Sequence, residues 1–211
     1  MNRAISVLAS LFLASAFATV HADPPLTSEA RTVGAFHAID VAGTLKVEVT
    51  VGKAAHVEVA GDADLVGKIT ATVKDGVLVL DTPRRMRNHS HLRATVTLPA
   101  LDAITISGTA DMKVGGITGD RLAVNVTGTG QLDLAGTTTS LSVAVGGTGQ
   151  IDAGTLATKD ARIDVRGTGQ ATLRAVESVE IKISGTGSVD ILGNPARVQK
   201  SVTGTGAVQV H

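Results

Sequence analysis

The densest group of chemically capable side chains lies in Pro83-Arg84-Arg85-Met86-Arg87-Asn88-His89-Ser90-His91-Leu92-Arg93. Four guanidinium groups in ten residues could grip phosphate or carboxylate groups bidentately, as on lipopolysaccharide or an acidic glycan. His89 and His91 share one side of an extended segment and could add positive charge below about pH 6.5. Two imidazoles are too few for a zinc site. Arg84, Arg85, Arg87, His89, His91 and Arg93 therefore form a candidate anion- or glycan-binding set. The plainer alternative is a solvated loop protruding between structural elements.

Two further residue series recur at fixed spacing. Asp133, Asp152 and Asp190 invite a calcium reading, but calcium-binding solenoids use a nine-residue repeat with the order G-G-x-G-x-D. Here Gly128-Thr129-Gly130-Gln131-Leu132-Asp133 is one residue off, at about twice that period, and Thr172 interrupts the rank. Solvated surface carboxylates fit better. A threonine series (Thr44, Thr109, Thr129, Thr148, Thr168, Thr186, Thr205) could form an exposed ladder like those on ice-binding solenoids. The alternative is that each hydroxyl satisfies backbone groups inside a tight turn.

Catalytic signatures are missing. There is no G-x-S-x-G, no H-E-x-x-H and no phosphate-cradling loop ending in G-K-[ST]. A β-helical glycan-active enzyme would bind sugar faces on Trp or Tyr platforms, and the chain has neither residue. The sequence reads as non-enzymatic, with no cofactor or metal implied.

These residues are positioned by a chain whose first 22 residues read as an export signal. Asn2 and Arg3 precede an apolar run from Ala4 to Val20, and Val20-His21-Ala22 offers small residues for a signal peptidase. An uncleaved anchor is the alternative, but the run is Ala-rich and short for a spanning helix. No later stretch is long and apolar enough to span a membrane. The absence of cysteine excludes disulfides, thiolate metal sites and lipid attachment after the signal. Without Arg3, 18 basic residues face 19 acidic ones, so no net field draws the chain toward nucleic acid or an anionic membrane. Export to the periplasm, cell surface or medium is expected.

The architecture is set by a repeat. Gly-Thr-Gly recurs at Gly108, Gly128, Gly147, Gly167, Gly185 and Gly204, in steps of 20, 19, 20, 18 and 19 residues, with an outlying Gly43-Thr44. Two residues before each glycine stand Val41, Ile106, Val126, Val145, Val165, Ile183 and Val202. Four before stand Ile39, Ile104, Val124, Val143, Ile163, Ile181 and then Lys200. Four and six after, the series Met112, Leu132, Ile151 and Val114, Leu134, Ala153 continue the pattern. Alternation of period two on both sides of a glycine turn means strand, turn, strand, with one face buried. Equivalent residues then stack one strand spacing apart, and their columns form the core. The expected fold is an all-β, single β-helix or β-solenoid over 34–211, taken as right-handed. Its 18–20-residue repeat gives about nine coils, because the 65 residues between Gly43 and Gly108 leave room for three more. Residues 23–33 read as a polar, mobile leader. Each turn is expected to hold at least one glycine at positive φ.

Gly34-x-Phe36-x-x-Ile39-x-Val41, the Val-x-Val strands near Val57 and the run of Gly-Thr-Gly turns resemble the head GIN domain family. Its members are described as auto-transporter adhesin heads of Gram-negative bacteria. The resemblance spans essentially Gly34 to His211 and implies a β-helical fold with G-S-G turns, replaced here by Gly-Thr-Gly. It also implies a part in adhesion without catalytic residues. The readings it leaves open are an adhesin-like interaction module and a periplasmic protein-binding scaffold or envelope-stress component. The partner would be an envelope or surface protein or a glycan, with a lateral homo-oligomer as a further assembly.

Lys200 occupies an inward position by parity at the last glycine-framed coil. A lysine there can lay its stem over the core while its ammonium reaches water, so Lys200 is expected to act as a gatekeeper against end-to-end stacking. For the basic segment, replacing Arg84, Arg85, Arg87 and Arg93 by serine should abolish salt-sensitive retention on an acidic polysaccharide and leave the fold unchanged. Retention that survives the substitutions leaves only a solvated loop.

Overall fold

The structure, a computed structural model, describes residues 26–83 and 92–211. Its strands are β1 (Leu26–Arg31), β2 (Ala38–Val41), β3 (Thr44–Val51), β4 (His56–Asp62), β5 (Thr70–Lys74), β6 (Val77–Asp81), β7 (Arg93–Leu98) and β8 (Ala103–Ile106). Four long strands follow: β9 (Thr109–Val126), β10 (Thr129–Val145), β11 (Thr148–Val165) and β12 (Thr168–Ile183). The shorter β13 (Thr186–Leu192), β14 (Arg197–Val202) and β15 (Thr205–Val210) complete the series. A single 3-10 turn, Val66–Lys68, is the helical element among the described residues.

Each long strand serves two layers. Its first part pairs in the order β1-β4-β7-β3-β9-β10-β11-β12-β13-β15. Its second part pairs within β6, β2, β8, β9, β10, β11, β12 and β14. Pairing is parallel and glycine-framed from β3 and β2 onward, which makes a β-solenoid of about five turns. The parallel register carries the sequence columns into space: Ile104 pairs with Val124, Val124 with Val143, Val143 with Ile163 and Ile163 with Ile181. All five are buried, as are Met112, Leu132, Ile151, Ala171 and Val189 on the facing layer. The thin core needs no aromatic beyond Phe36, because each layer contributes small branched side chains that stack on copies of themselves.

The expected nine coils are corrected to about five. Residues 52–98 do not repeat the glycine-framed winding: β6 and β7 add parallel strands beside β2 and β3, and the rest reverses. β4 lies antiparallel to β7, and β1 lies antiparallel to β4. β5 and β6 form an antiparallel hairpin turned by Asp75 and Gly76, at φ 51° and 76°. Positive φ at both central residues is the condition for the tight hairpin turn that matches strand twist, and Asp-Gly meets it. Without a Gly-Thr-Gly frame this segment does not continue the regular winding: β6 and β7 extend the two parallel layers beyond β2 and β3, and β4 and β5 close them by antiparallel pairing.

The leader is also shorter than expected. Leu26–Arg31 is a strand, because the outer edge of β4 offers it a full antiparallel register. Arg31 fixes the arrangement: Nη1 bonds Glu29 at 2.6 Å and Nη2 donates to the Val66 carbonyl at 2.8 Å, at the 3-10 turn. The edge strand thereby carries charge on a surface that would otherwise template further pairing.

The turn glycines are required for a reason other than the one expected. None of Gly43, Gly108, Gly128, Gly147, Gly167, Gly185 and Gly204 adopts positive φ. Instead a Cβ on Gly128, Gly147, Gly167, Gly185 or Gly204 would lie well inside 3.0 Å of the carbonyl oxygen of the glycine one coil earlier. The hydrogen bonding explains the closeness. The Ile106 carbonyl accepts from both Thr127 and Gly128, at 2.9 and 3.0 Å, and the Gly108 carbonyl accepts from Thr129 at 2.9 Å. Three consecutive N–H groups thus point at the preceding turn, which leaves no space for a side chain. Positive φ is found at the opposite corner, at Gly116 (76°) and Gly136 (137°), where the long strands bend from one layer to the other.

That second corner absorbs the unequal repeat lengths. Between β11 and β12 the register is continuous from the Thr148–Thr168 pair to the Ala153–Leu173 pair, then shifts between Ala153 and Ala157 and again between Thr158 and Asp160. Leu156 is buried in the bulge, and the buried Thr158 hydroxyl donates to the carbonyls of Asp160 and Thr139, at 3.1 and 3.3 Å. The glycine corner stays in step because its backbone contact has no slack.

Gly167→Ala should lower Tm by roughly 10 °C, since a clash with backbone that cannot move costs on the order of 3 kcal/mol. Gly119→Ala meets nothing within 4 Å and should be neutral or slightly stabilising. Equal melting temperatures for the two variants in calorimetry would contradict the close-approach account.

Candidate functional site: an axial groove

The tight glycine corner creates an extended concave surface. On leaving each corner the chain presents threonine outward, glycine inward and then glutamine outward. Parallel pairing puts like on like: Thr129 beside Thr148, Gly130 beside Gly149, Gln131 beside Gln150, and the same for Thr168, Gly169 and Gln170. The ranks continue through Thr186-Gly187-Ser188 and Thr205-Gly206-Ala207, and start at Thr109-Ala110. Together these residues line an open groove of about 900 Å³ that crosses the starts of six stacked strands, β9, β10, β11, β12, β13 and β15.

Its floor is backbone. The second glycine of each motif faces the core: a Cβ on Gly130 would meet Ile106 Cδ1 at 2.8 Å, and one on Gly206 would meet Ile183 Cγ2 at 2.8 Å. Threonine and glutamine side chains stand exposed on either side. Every lining residue is uncharged.

The threonine series is corrected here. No column hydroxyl hydrogen-bonds to a protein group among the described residues, so the hydroxyls do not satisfy their turns. That task falls one residue before the glycine, where Thr127 and Thr203 donate to the Ile106 and Ile183 carbonyls at 3.5 Å. At the first turn Thr82, buried beneath Gly43, accepts from the Thr44 N–H at 2.9 Å and stands where later turns have a glycine carbonyl. The glutamine rank was not singled out by sequence spacing, although Gly-Thr-Gly-Gln at Gln131, Gln150 and Gln170 was there to be read. Nothing in the sequence says that these amides share a groove with the threonines.

Charged groups lie on other faces. Arg162, Glu180 and Lys182 form a chain of ion pairs, with Lys182 Nζ 3.0 Å from Glu180 Oε1. The hydrogen bond from Lys182, helped by the charge of Arg162, holds the exposed Glu180 carboxyl below its usual range. Arg166 pairs with Asp164 at 2.7 Å, and that hydrogen bond raises the arginine further. Asp133, Asp152 and Asp190 face outward with Thr172 between them, and Asp152 accepts from the Gly154 N–H at 2.9 Å. Among the described residues no three His, Cys, Asp or Glu side chains converge on a metal position.

Of the basic cluster, Arg84, Arg85, Arg87, His89 and His91 lie outside the described residues. Arg93 is exposed at the start of β7, in register with Lys46. Lys200 occupies the register position after Ile181 in the inward column, flanked by Val198 and Val202. In that last layer the column is open: Val198, Val202 and Val210 are 39%, 41% and 45% exposed. No helix among the described residues is long and apolar enough to cross a membrane.

The fold and groove define a class of protein: the parallel β-solenoid with glycine corners and an uncharged axial groove. The chain belongs to the family described as "Putative auto-transporter adhesin, head GIN domain", whose profile matches residues 35–195. Among solved structures, a "putative adhesin" from Bacteroides fragilis superposes with a TM-score of 0.73 at 24% identity, covering 90% of this chain and 98% of that one. A "putative adhesin" from Parabacteroides merdae is also similar, with a TM-score of 0.46, 18% identity, and coverage of 88% of this chain and 96% of that one. A "Putative lipid binding protein" from Parabacteroides distasonis gives 0.46 and 16%, with coverage of 88% and 96%. Among curated proteins no match was found.

Proposed function

We propose that this chain is an exported, non-enzymatic adhesin-like interaction module of the bacterial envelope, wound with a right hand, which engages its partner along the rod. The axial groove carries this reading: ranks of hydroxyl and amide groups stand open to solvent on a frame too tightly packed to rearrange. Membership of an adhesin-head family supports it. A scaffold of this kind needs no moving part or nucleophile. Its contribution is to hold many identical weak contacts at a constant spacing.

A second reading, a periplasmic scaffold that binds another protein, draws on the terminal layer. β14 and β15 each have one unpaired edge and expose three valines, the features by which a sheet edge accepts a partner strand. Compartment separates the two. Protease or antibody should reach the protein on intact cells if it is an adhesin-like module. Protection until the outer membrane is opened would favour the periplasmic scaffold.

Lys200 bears on assembly. With the ammonium in water and its stem over the exposed core, it discourages copies from stacking end to end, so that any homo-oligomer forms side by side. Lys200→Ile should produce sedimentation coefficients that rise with concentration. A variant that sediments like the parent at every concentration means that the end is closed by something else.

A further inference from the structure

Resting on the adhesin-like reading, we propose that the axial groove binds a neutral, linear, hydroxyl-rich polysaccharide laid along the solenoid axis. The groove's chemistry narrows the occupant step by step.

Charge is the first criterion. The chain has 19 basic and 19 acidic residues, yet none lines the groove. An anionic polymer such as a phosphorylated or uronic-acid glycan would find no counter-charge there, and burying its charges unpaired is costly. The occupant is therefore uncharged.

Hydrogen-bonding capacity is the second. A threonine hydroxyl both donates and accepts, and a glutamine amide carries two donors and an acceptor. The Thr129, Thr148 and Thr168 hydroxyls and the Gln131, Gln150 and Gln170 amides have no protein partner in the described structure, so all are available. Sugar hydroxyls, which also donate and accept, match such a surface in any local orientation. The lining between those groups is mainly carbon, from threonine methyls and glycine Cα, and takes the C–H faces of a pyranose; an acyl chain would use that floor alone and leave the hydroxyl and amide ranks without partners.

Geometry is the third. A peptide strand binds a sheet by pairing with free backbone at an edge. Here the backbone of the groove floor is already consumed by the ladder between coils, so an extended peptide has nothing to pair with. What repeats along the axis is side-chain chemistry, once per coil, at about 4.8 Å. That step is close to the advance of one pyranose unit in an extended β-linked chain. Across six stacked strands the ranks run about 24 Å, room for a handful of sugar units in a row.

The lack of any aromatic platform then becomes informative. Each sugar unit gains hydrogen bonds in competition with water and contact with a floor of small apolar groups, so a single unit binds weakly and affinity must accumulate along the chain. Length dependence is the signature of this mode, whereas an aromatic-stacked site would hold a single unit well.

The test uses the whole exported chain. Cello- and xylo-oligosaccharides of two to eight units are titrated by NMR, following the side-chain amide signals of Gln131, Gln150 and Gln170. Native affinity electrophoresis is run through glucomannan and xylan, with alginate as the acidic comparison. Retardation in the neutral polymers should be insensitive to salt, and affinity should rise on the order of 100-fold between two and six units before levelling off. The variant Thr148→Val/Thr168→Val/Gln150→Leu/Gln170→Leu keeps shape and strand preference, and should lose that retardation while melting like the parent. If this quadruple variant is poorly folded, Gln150→Leu/Gln170→Leu alone should still weaken six-unit binding at least tenfold.

Failure of every neutral polymer, or retention undiminished in a folded variant, overturns the proposal. So does salt-sensitive binding to alginate alone, which would point to the basic segment. Self-association abolished by the variant would make the groove an interface between copies. Binding only to neutral phospholipid vesicles would make it a lipid contact. The adhesin-like reading is judged separately: cells that display the folded variant and still attach to their surface as the parent does would retain adhesion while the groove assignment falls.

Discussion

The rest of the structure depends on one contact, the approach of each turn glycine to the carbonyl oxygen of the glycine one coil earlier. Three successive N–H groups at the corner bond to the preceding turn, and the backbones come so close that no Cβ fits between them. The contact acts as a ratchet. It permits one register between neighbouring coils, and that register places every valine and isoleucine of the core over its counterpart. Hydrophobic burial provides the stabilisation, but the glycine corner decides which residues are buried.

A constraint this strict at one corner requires slack at the other. Coils of 18 to 20 residues cannot stack with both corners in step, and the difference is taken up where Gly116 and Gly136 turn the strands between layers. Bulges there bury Leu156 and are satisfied by Thr158. Function follows the same division. The strict corner lines up identical outward groups into ranks and so can build a periodic surface. The loose corner, where the groups change from coil to coil, cannot.

The ends show how a solenoid begins. At the Gly43 turn the Leu80 carbonyl accepts from Ala42 and Gly43 as in the later turns, but the Thr82 hydroxyl accepts from the Thr44 N–H where later turns use a glycine carbonyl. Beyond β6 and β7 the parallel layers are closed by antiparallel strands, held by Arg31 on the carbonyl of Val66. At the other end Val198, Lys200 and Val202 continue the inward columns with one side open.

Much of this was legible in the residues alone. Local alternation and the recurrence of Gly-Thr-Gly sufficed to predict the all-β solenoid, the core columns and the inward register of Lys200, because period two and a fixed repeat translate directly into facing and stacking. Asp75-Gly76 was also a readable hairpin signal, and the nine-coil expectation passed over it by extending the repeat into a segment that lacks the glycine frame. Three matters were decided only in three dimensions. The reason for the glycines is a contact between residues about 20 apart, which no local φ argument contains. The strand at Leu26–Arg31 exists because β4 offers an edge. The groove appears only when six strands are stacked, since a threonine and a glutamine two residues apart look like ordinary exposed positions until like stacks upon like.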